Sequence, residues 1–204
     1  MYKDKLVPLN EDFFIIDMMY ARPDNMTGRP VYQEIGFGNQ AWVHPELKEK
    51  LLKAIPLLEA KGLRMKICDA YRPPLAHQIM KEIIPFPGFF ATNAERSQHC
   101  HGTAVDVILT SADGKELAYP TKVDGYDPQL AKEVQNGKME NFMEHLKKAA
   151  RDYTNDNPAL EEAIRNRDFL REIMEEAGLE SIPLEWWHFD LPNGRSEAYP
   201  MIEF

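Results

Sequence analysis

Ser97-Gln98-His99-Cys100-His101-Gly102-Thr103-Ala104-Val105-Asp106 sets two histidines and an aspartate around a glycine, and Glu185-Trp186-Trp187-His188 answers it far downstream. Two imidazoles and a carboxylate, with a second carboxylate three residues before the last histidine, are the parts of a catalytic zinc site. Such a site takes three protein ligands and leaves a fourth position for a water whose pKa falls to about 7. A neighbouring carboxylate then accepts the water proton and passes it on. On this reading His99, Asp106 and His188 bind one Zn2+ per chain and Glu185 is the general base. His101 competes with His99 for the first ligand position, because residues two apart point the same way in an extended segment.

The spacing is compatible with that chemistry. A turn at Gly102 followed by a strand from Thr103 to Leu109 brings His99 and Asp106 towards one point. On this strand Ala104, Asp106 and Ile108 share a face, and a carboxylate among apolar neighbours is costly unless it is paired or metal-bound. Pro183 and Pro192 bracket the second segment, and Trp-Trp-His-Phe favours a strand from Ser181 to Asp190. Glu185 and His188 are an odd number of residues apart, so a bulge or strand end is needed if both serve one site. Each segment alone also has a plain reading: a salt-bridged strand aspartate beside loop histidines, or two core tryptophans next to a satisfied histidine.

Working outward, Phe13 to Asp17 reads as a strand within an otherwise irregular first 43 residues. Pro45 opens an amphipathic helix carried by Leu47, Leu51, Ile55 and Leu58 to Gly62, with Pro56 inside it. Arg64 to Asp69 alternates as a strand does and ends in Asp69-Ala70-Tyr71-Arg72-Pro73-Pro74. The two prolines give the Arg72 guanidinium a rigid start, suited to an oxyanion or a carboxylate, or to a salt bridge with Asp69. Leu75 to Ile84 reads as a short helix with His77 on its surface, and Pro85 to Phe90 as a loop that either overhangs the site or serves as apolar packing. Glu116 to Tyr126 reads as a loop or hairpin return. Helical patterns follow over about Pro128 to Tyr153, with His145 on a solvated face, and over Pro158 to Ala177, with Gly178 as the stop. Asn193-Gly194 is a turn.

The 204-residue length suits one domain, residues 1–204, and 44% hydrophobic with 28% charged residues is ordinary for a globular protein. A formal net charge of minus nine argues against a nucleic-acid partner, which needs clustered Lys and Arg. No run approaches the roughly 20 apolar residues of a membrane span. The start of the chain lacks an apolar core with a small-residue cleavage site, so a cytoplasmic protein is expected. The two cysteines, Cys68 and Cys100, are expected as free thiols. The sequence leaves the oligomeric state open.

Taken together, Ser-x-His-x-x-Gly-x-Ala-x-Asp at 97–106, Glu-Trp-Trp-His at 185–188 and Tyr-Arg-Pro at 71–73 resemble the D-alanyl-D-alanine dipeptidases, zinc peptidases of the vancomycin-resistance type. Tyr20-Ala21 followed by Asp24-Asn25-x-Thr27-Gly28 resembles that family's N-terminal segment. The resemblance implies that His99, Asp106 and His188 hold zinc, excluding His101. It implies that Glu185 is the base and then the acid, that Arg72 stabilises the oxyanion, and that Ser97 and Tyr20 lie near a D-Ala-D-Ala substrate. The implied fold is a single α+β domain, an antiparallel sheet with packed helices, like the Hedgehog signalling domain and the D,D-carboxypeptidases. The chain departs from the family from about Leu117 to Asn155, where Asp124 is only a loose counterpart of a family loop aspartate. The rival readings are a zinc D,D-carboxypeptidase or peptidoglycan endopeptidase of the same fold, a non-catalytic zinc-stabilised binding module, and a non-haem iron oxygenase, for which His99 and Asp106 are too widely spaced.

Overall fold

The computed structural model describes residues 2–85, 89–124 and 160–204. In chain order these form strands β1 (Val7–Pro8) and β2 (Phe14–Ile16), helix α1 (Val31–Glu34), strand β3 (Trp42–Val43), helix α2 (Pro45–Glu59), strand β4 (Leu63–Asp69) and helix α3 (Pro74–Ile83). Strand β5 (Ala104–Ser111), helix α4 (Glu161–Glu176) and strands β6 (Glu180–Ser181) and β7 (His188–Asp190) follow. Five strands make one sheet in the order β2-β4-β5-β7-β6, and β1 pairs with β3 apart from it. This is the expected α+β domain with one correction: β2 runs parallel to β4, so the sheet is mixed rather than wholly antiparallel. The cause is connectivity, because α2 lies between these strands in the chain and a crossover of that kind returns the next strand in the same direction.

Strand β5 is central because it is apolar on both faces, with every residue from Ala104 to Thr110 buried. It pairs antiparallel with β4 on one side and β7 on the other. Helix α2 opens with Pro45 at its first position, and the Glu46 amide donates to His44 Nδ1 at 3.3 Å. Its buried stripe is Leu47, Leu51, Ala54, Ile55 and Leu58, and Pro56 lies within it without ending it. Helix α4 buries Ile164, Leu170, Ile173 and Met174 and ends at Gly178, whose φ of +89° is the left-handed stop expected there. No helix of the described residues is long and apolar enough to cross a membrane. The helical pattern over Pro128 to Tyr153, His145 included, lies outside the described residues, as do positions 158–159 and the centre of the loop after α3.

Two local features place the site. Gly102 ends a 3-10 turn, Gln98–His101, at φ +69°, and a Cβ there would lie 2.5 Å from Leu6 Cδ2. Only a residue without a side chain both adopts that backbone and fits against Leu6, so the chain turns here into β5. The second feature is a register shift between Ile67 and Asp69 where β4 meets β5. Met65 to Ile67 pair residue for residue with Leu109 to Val107, but Asp106 then faces Asp69, leaving Cys68 as the extra residue of a bulge. Asp106 is also paired with His188 of β7. Residues directly opposite one another in antiparallel strands share a face, so Asp69, Asp106 and His188 stand in a row across three strands.

Other expectations change in detail. Ser181 to Asp190 is not one strand but two short ones, β6 and β7, with residues 182–187 irregular between them. Pro183 has no N–H to give to the ladder, which explains the break. His77 is not a surface residue: it is 1% exposed, with Nε2 bonded to the Ala91 carbonyl at 3.0 Å. It belongs to the buried face of α3 with Ala76 and Met80. Between Glu116 and Asp124 the chain is a loop, joined to β5 by a bridge between Thr110 and Glu116.

Candidate active site

The row on the sheet is completed by His99 from the 3-10 turn. His99 Nε2 lies 3.2 Å from His188 Nδ1 and 3.4 Å from Asp106 Oδ1, and His188 Nδ1 lies 2.9 Å from the same oxygen. The far nitrogen of each ring is already engaged. His99 Nδ1 is 2.8 Å from the Ala70 carbonyl, and His188 Nε2 is 2.8 Å from Asp190 Oδ1. Both partners only accept, so these two nitrogens carry the ring protons and donate. In their neutral forms His99 and His188 therefore turn lone pairs towards the Asp106 carboxylate. Three acceptors within 4.8 Å of one another need a cation between them, and an imidazole tied at its far nitrogen to a carbonyl or carboxylate is the usual second layer of a metal site. The donor set of two nitrogens and one oxygen fits a divalent ion such as zinc.

Electrostatics agree. Burial raises the Asp106 carboxyl, but the His99 and His188 imidazoles outweigh it and hold the group well below the usual carboxylate range. Burial lowers both imidazoles and is outweighed in turn, by Asp106 at His99 and by Asp190 and Asp106 at His188, so both are raised. The cluster is built to keep positive charge at its centre.

His101 is not part of it. In a 3-10 turn residues two apart point in different directions, not the same one as in an extended segment. Its Nδ1 meets the Tyr199 carbonyl at 2.6 Å and its Nε2 the Glu95 carbonyl at 3.0 Å, so it ties the C-terminal segment to the site loop. Cys68 and Cys100 are free and buried, and burial pushes the Cys100 thiol up to about 12. Neither thiol has nucleophilic character at neutral pH.

The cluster forms the floor of a pocket of about 240 Å3. Glu185 sits at the turn just before β7, the strand end that the odd spacing requires, with Oε2 3.6 Å from His188 Nδ1 and its side chain 26% exposed. Burial raises its pKa. Arg72 also lines the pocket and is 5% exposed. Its Nε and Nη2 donate to Asp69 Oδ2 at 3.0 and 2.7 Å, and its guanidinium lies over the Tyr20 ring at 5.3 Å and the Phe90 ring at 5.5 Å. The salt bridge to Asp69 and a place in the pocket lining are thus both present. Ser97 lines the pocket as well, 7% exposed.

Three further acids join the site: Asp69, read from the sequence as a salt-bridge partner of Arg72, Asp124, read as a loose counterpart of a family loop aspartate, and Asp190, which the sequence reading missed. Asp69 is fully buried and accepts from the Tyr32 hydroxyl at 2.6 Å and the Ala70 amide at 2.9 Å while holding Arg72. Asp190 orients His188; its position two residues on, on the same strand face, was a legible signal. Asp124, at φ +45°, lines the pocket and accepts from the Tyr20 hydroxyl at 2.5 Å. Burial first, then Asp106 and Glu185, raise the Asp124 carboxyl to about 7. Tyr20 itself is fully buried and stands behind the pocket wall.

The chain matches the D-ala-D-ala dipeptidase family over residues 5–202. It is 30% identical over 187 residues to the D-alanyl-D-alanine dipeptidase of Escherichia coli (strain K12), covering 92% of this chain and 82% of that protein. It is similar, at 32% over 209 residues, to the D-alanyl-D-alanine dipeptidase of Enterococcus faecium, covering 92% and 89% of the two chains. A third relative, the D-alanyl-D-alanine dipeptidase of Enterococcus faecalis (strain ATCC 700802 / V583), is 27% identical over 208 residues with the same coverage.

Proposed function

The chain belongs to the D-Ala-D-Ala dipeptidase family of metallopeptidases, and from that premise we propose that residues 1–204 form one zinc dipeptidase domain that hydrolyses D-Ala-D-Ala in the cytoplasm. The observation that carries this reading is the convergence of three bare acceptors, on His99, Asp106 and His188, beside Glu185 in a pocket of about 240 Å3. That volume is below the roughly 300 to 1,000 Å3 of pockets for drug-sized ligands, and it suits a substrate of two small residues.

In this proposal His99, Asp106 and His188 hold one zinc ion, which when bound supplies a Lewis acid that acidifies water and polarises a carbonyl. Glu185 removes the proton from the attacking water as its oxygen bonds to the carbonyl carbon. Arg72 donates to the oxygen that becomes negative, and Asp69 fixes the guanidinium at the pocket. Glu185 then delivers the proton to the leaving nitrogen as the C–N bond breaks, releasing two molecules of D-alanine. Asp124 is the acid placed to receive the substrate ammonium, positioned by the Tyr20 hydroxyl, and Ser97 contacts the dipeptide from the opposite segment.

The test is D-alanine release from D-Ala-D-Ala by zinc-loaded protein, beside the chelated protein and a muropeptide ending in D-Ala-D-Ala. Turnover of the dipeptide alone, lost on chelation, is the expected result. Turnover of the muropeptide alone would move the chain to the wall-cleaving carboxypeptidases, and bound zinc without turnover of either would favour a binding module. Arg72→Ala is expected to lower kcat roughly 100- to 1,000-fold, the usual loss for one oxyanion donor. A fall in kcat/KM carried by KM alone would instead make Arg72 a ground-state binding group.

A further inference from the structure

We infer that Arg96 and Arg195 form a carboxylate-recognition pair at the pocket, making the free C-terminal carboxylate a required part of the substrate; this rests on the peptidase reading above. Both side chains line the same pocket as His99, Asp106 and Glu185. They come from different segments, Arg96 from the 3-10 turn Ala94–Arg96 before Ser97 and Arg195 from the loop after β7. Arg195 Nη1 donates to the Arg96 carbonyl at 2.7 Å, which fastens one loop to the other. The turn itself is capped, with the Arg96 amide 3.1 Å from Asn93 Oδ1.

Exposed arginines are usually only solvated. Two observations set these apart. The first is partnership: among the described residues neither guanidinium has a carboxylate within ion-pair distance, whereas Arg72 is engaged by Asp69. The second is the polarity of the lining. The other charged groups of the pocket apart from Arg72 and the histidines are acidic, namely Asp106, Asp124, Glu185 and Asp190. Asp106 and Asp190 are committed to imidazoles, and Asp124 accepts from Tyr20. A pocket lined by an acid not committed to an imidazole and by two guanidinia that meet no carboxylate among the described residues matches a zwitterion, with ammonium to Asp124 and carboxylate to Arg96 and Arg195. Arginine suits that role because its planar fork bonds a carboxylate through two parallel N–H groups. A peptide continuing beyond the second residue would offer a neutral amide at this point, so the pair selects a short substrate with a free end over an internal bond.

The experiment compares hydrolysis of D-Ala-D-Ala and of its C-terminal amide by the zinc-loaded enzyme and the Arg96→Ala/Arg195→Ala variant. Calorimetric binding of D-Ala-D-Ala to zinc-loaded Glu185→Gln, with and without the two arginine substitutions, runs beside it. The wild-type enzyme is expected to prefer the acid. The double variant is expected to raise KM for the acid on the order of tenfold, the sum of two exposed ion pairs, with a much smaller change in kcat and most of the preference gone. If the wild-type chain hydrolyses the dipeptide and the double variant keeps both KM and preference, the pair is dismissed while the peptidase reading stands. If nothing is hydrolysed yet dipeptide binding weakens with the arginines removed, the pair stands and the peptidase reading falls. Neither hydrolysis nor binding overturns both.

Discussion

Glu185→Gln is expected to lower kcat on D-Ala-D-Ala by roughly 100- to 10,000-fold while the protein keeps its zinc. Glutamine has the shape of the carboxylate but cannot take a proton from water, so the substitution isolates proton transfer from pocket shape. The geometry is compatible with that proposed transfer: Glu185 Oε2 is 3.6 Å from His188 Nδ1, and its side chain is only partly shielded. Burial raises its pKa, which in the proposed reaction strengthens its hold on the proton on the way to the leaving nitrogen. Metal analysis and kcat on one preparation check the prediction. Stoichiometric zinc with undiminished turnover would remove Glu185 from the reaction.

Loss of the metal is expected to have the largest effect of all. His188→Ala removes one of the three acceptors and leaves Asp106 and Asp190 without the imidazole between them, so both zinc and activity are expected to be lost. Chelation of the wild-type chain gives the same loss reversibly and lowers Tm, because an ion that binds only the folded state stabilises it. The size of that shift depends on pH with a definite sign. In the zinc-free chain both imidazoles are raised above the ordinary 6.5 by their carboxylates. That contribution to stability is fully present below 6.5 and is lost as pH rises through the raised values. Asp106 is held well below its ordinary value, so its contribution is lost only in strong acid. Zinc needs neutral imidazoles and binds more tightly as protons leave. The difference in Tm between the zinc-loaded and zinc-free protein is therefore expected to widen between about pH 6 and pH 8. Thermal scans with and without zinc across that range measure it, and a constant difference would mean that His99 and His188 are not the ligands.

How much of this was legible varies with the range of the interaction involved. Helices α2 and α4 and strands β4 and β5 follow from local periodicity, the starts of α2 and β5 from Pro45 and Gly102, and the stop of α4 from Gly178. The burial of His77 is not legible in the sequence, because the pattern of a ten-residue helix does not say which other segment will cover a polar position on it. The Ala91 carbonyl that receives its ring comes from a loop whose path no spacing reveals. The strand over Ser181 to Asp190 was read too long because the β-propensity of the tryptophans was weighed above the missing N–H of Pro183.

The sequence by itself determined the chemistry available to the site. It ordered two histidines, an aspartate and a glutamate along the chain, and set a glycine where His99 turns into β5. It marked Arg72 by its two prolines, because these are properties of residue type and near-neighbour geometry. Only the tertiary structure decided which acids work with them. Asp69 reaches Arg72 and the row with Asp106 through a one-residue bulge at Cys68, and a bulge depends on how two strands pair rather than on either strand alone. Asp124 arrives through a residue at positive φ held by Tyr20, 104 positions away. Arg96 and Arg195 are brought together by one hydrogen bond spanning 99 positions. The candidate ligands are written in single residues, whereas the setting around them is made by contacts distant in sequence, which exist only once the chain has closed on itself.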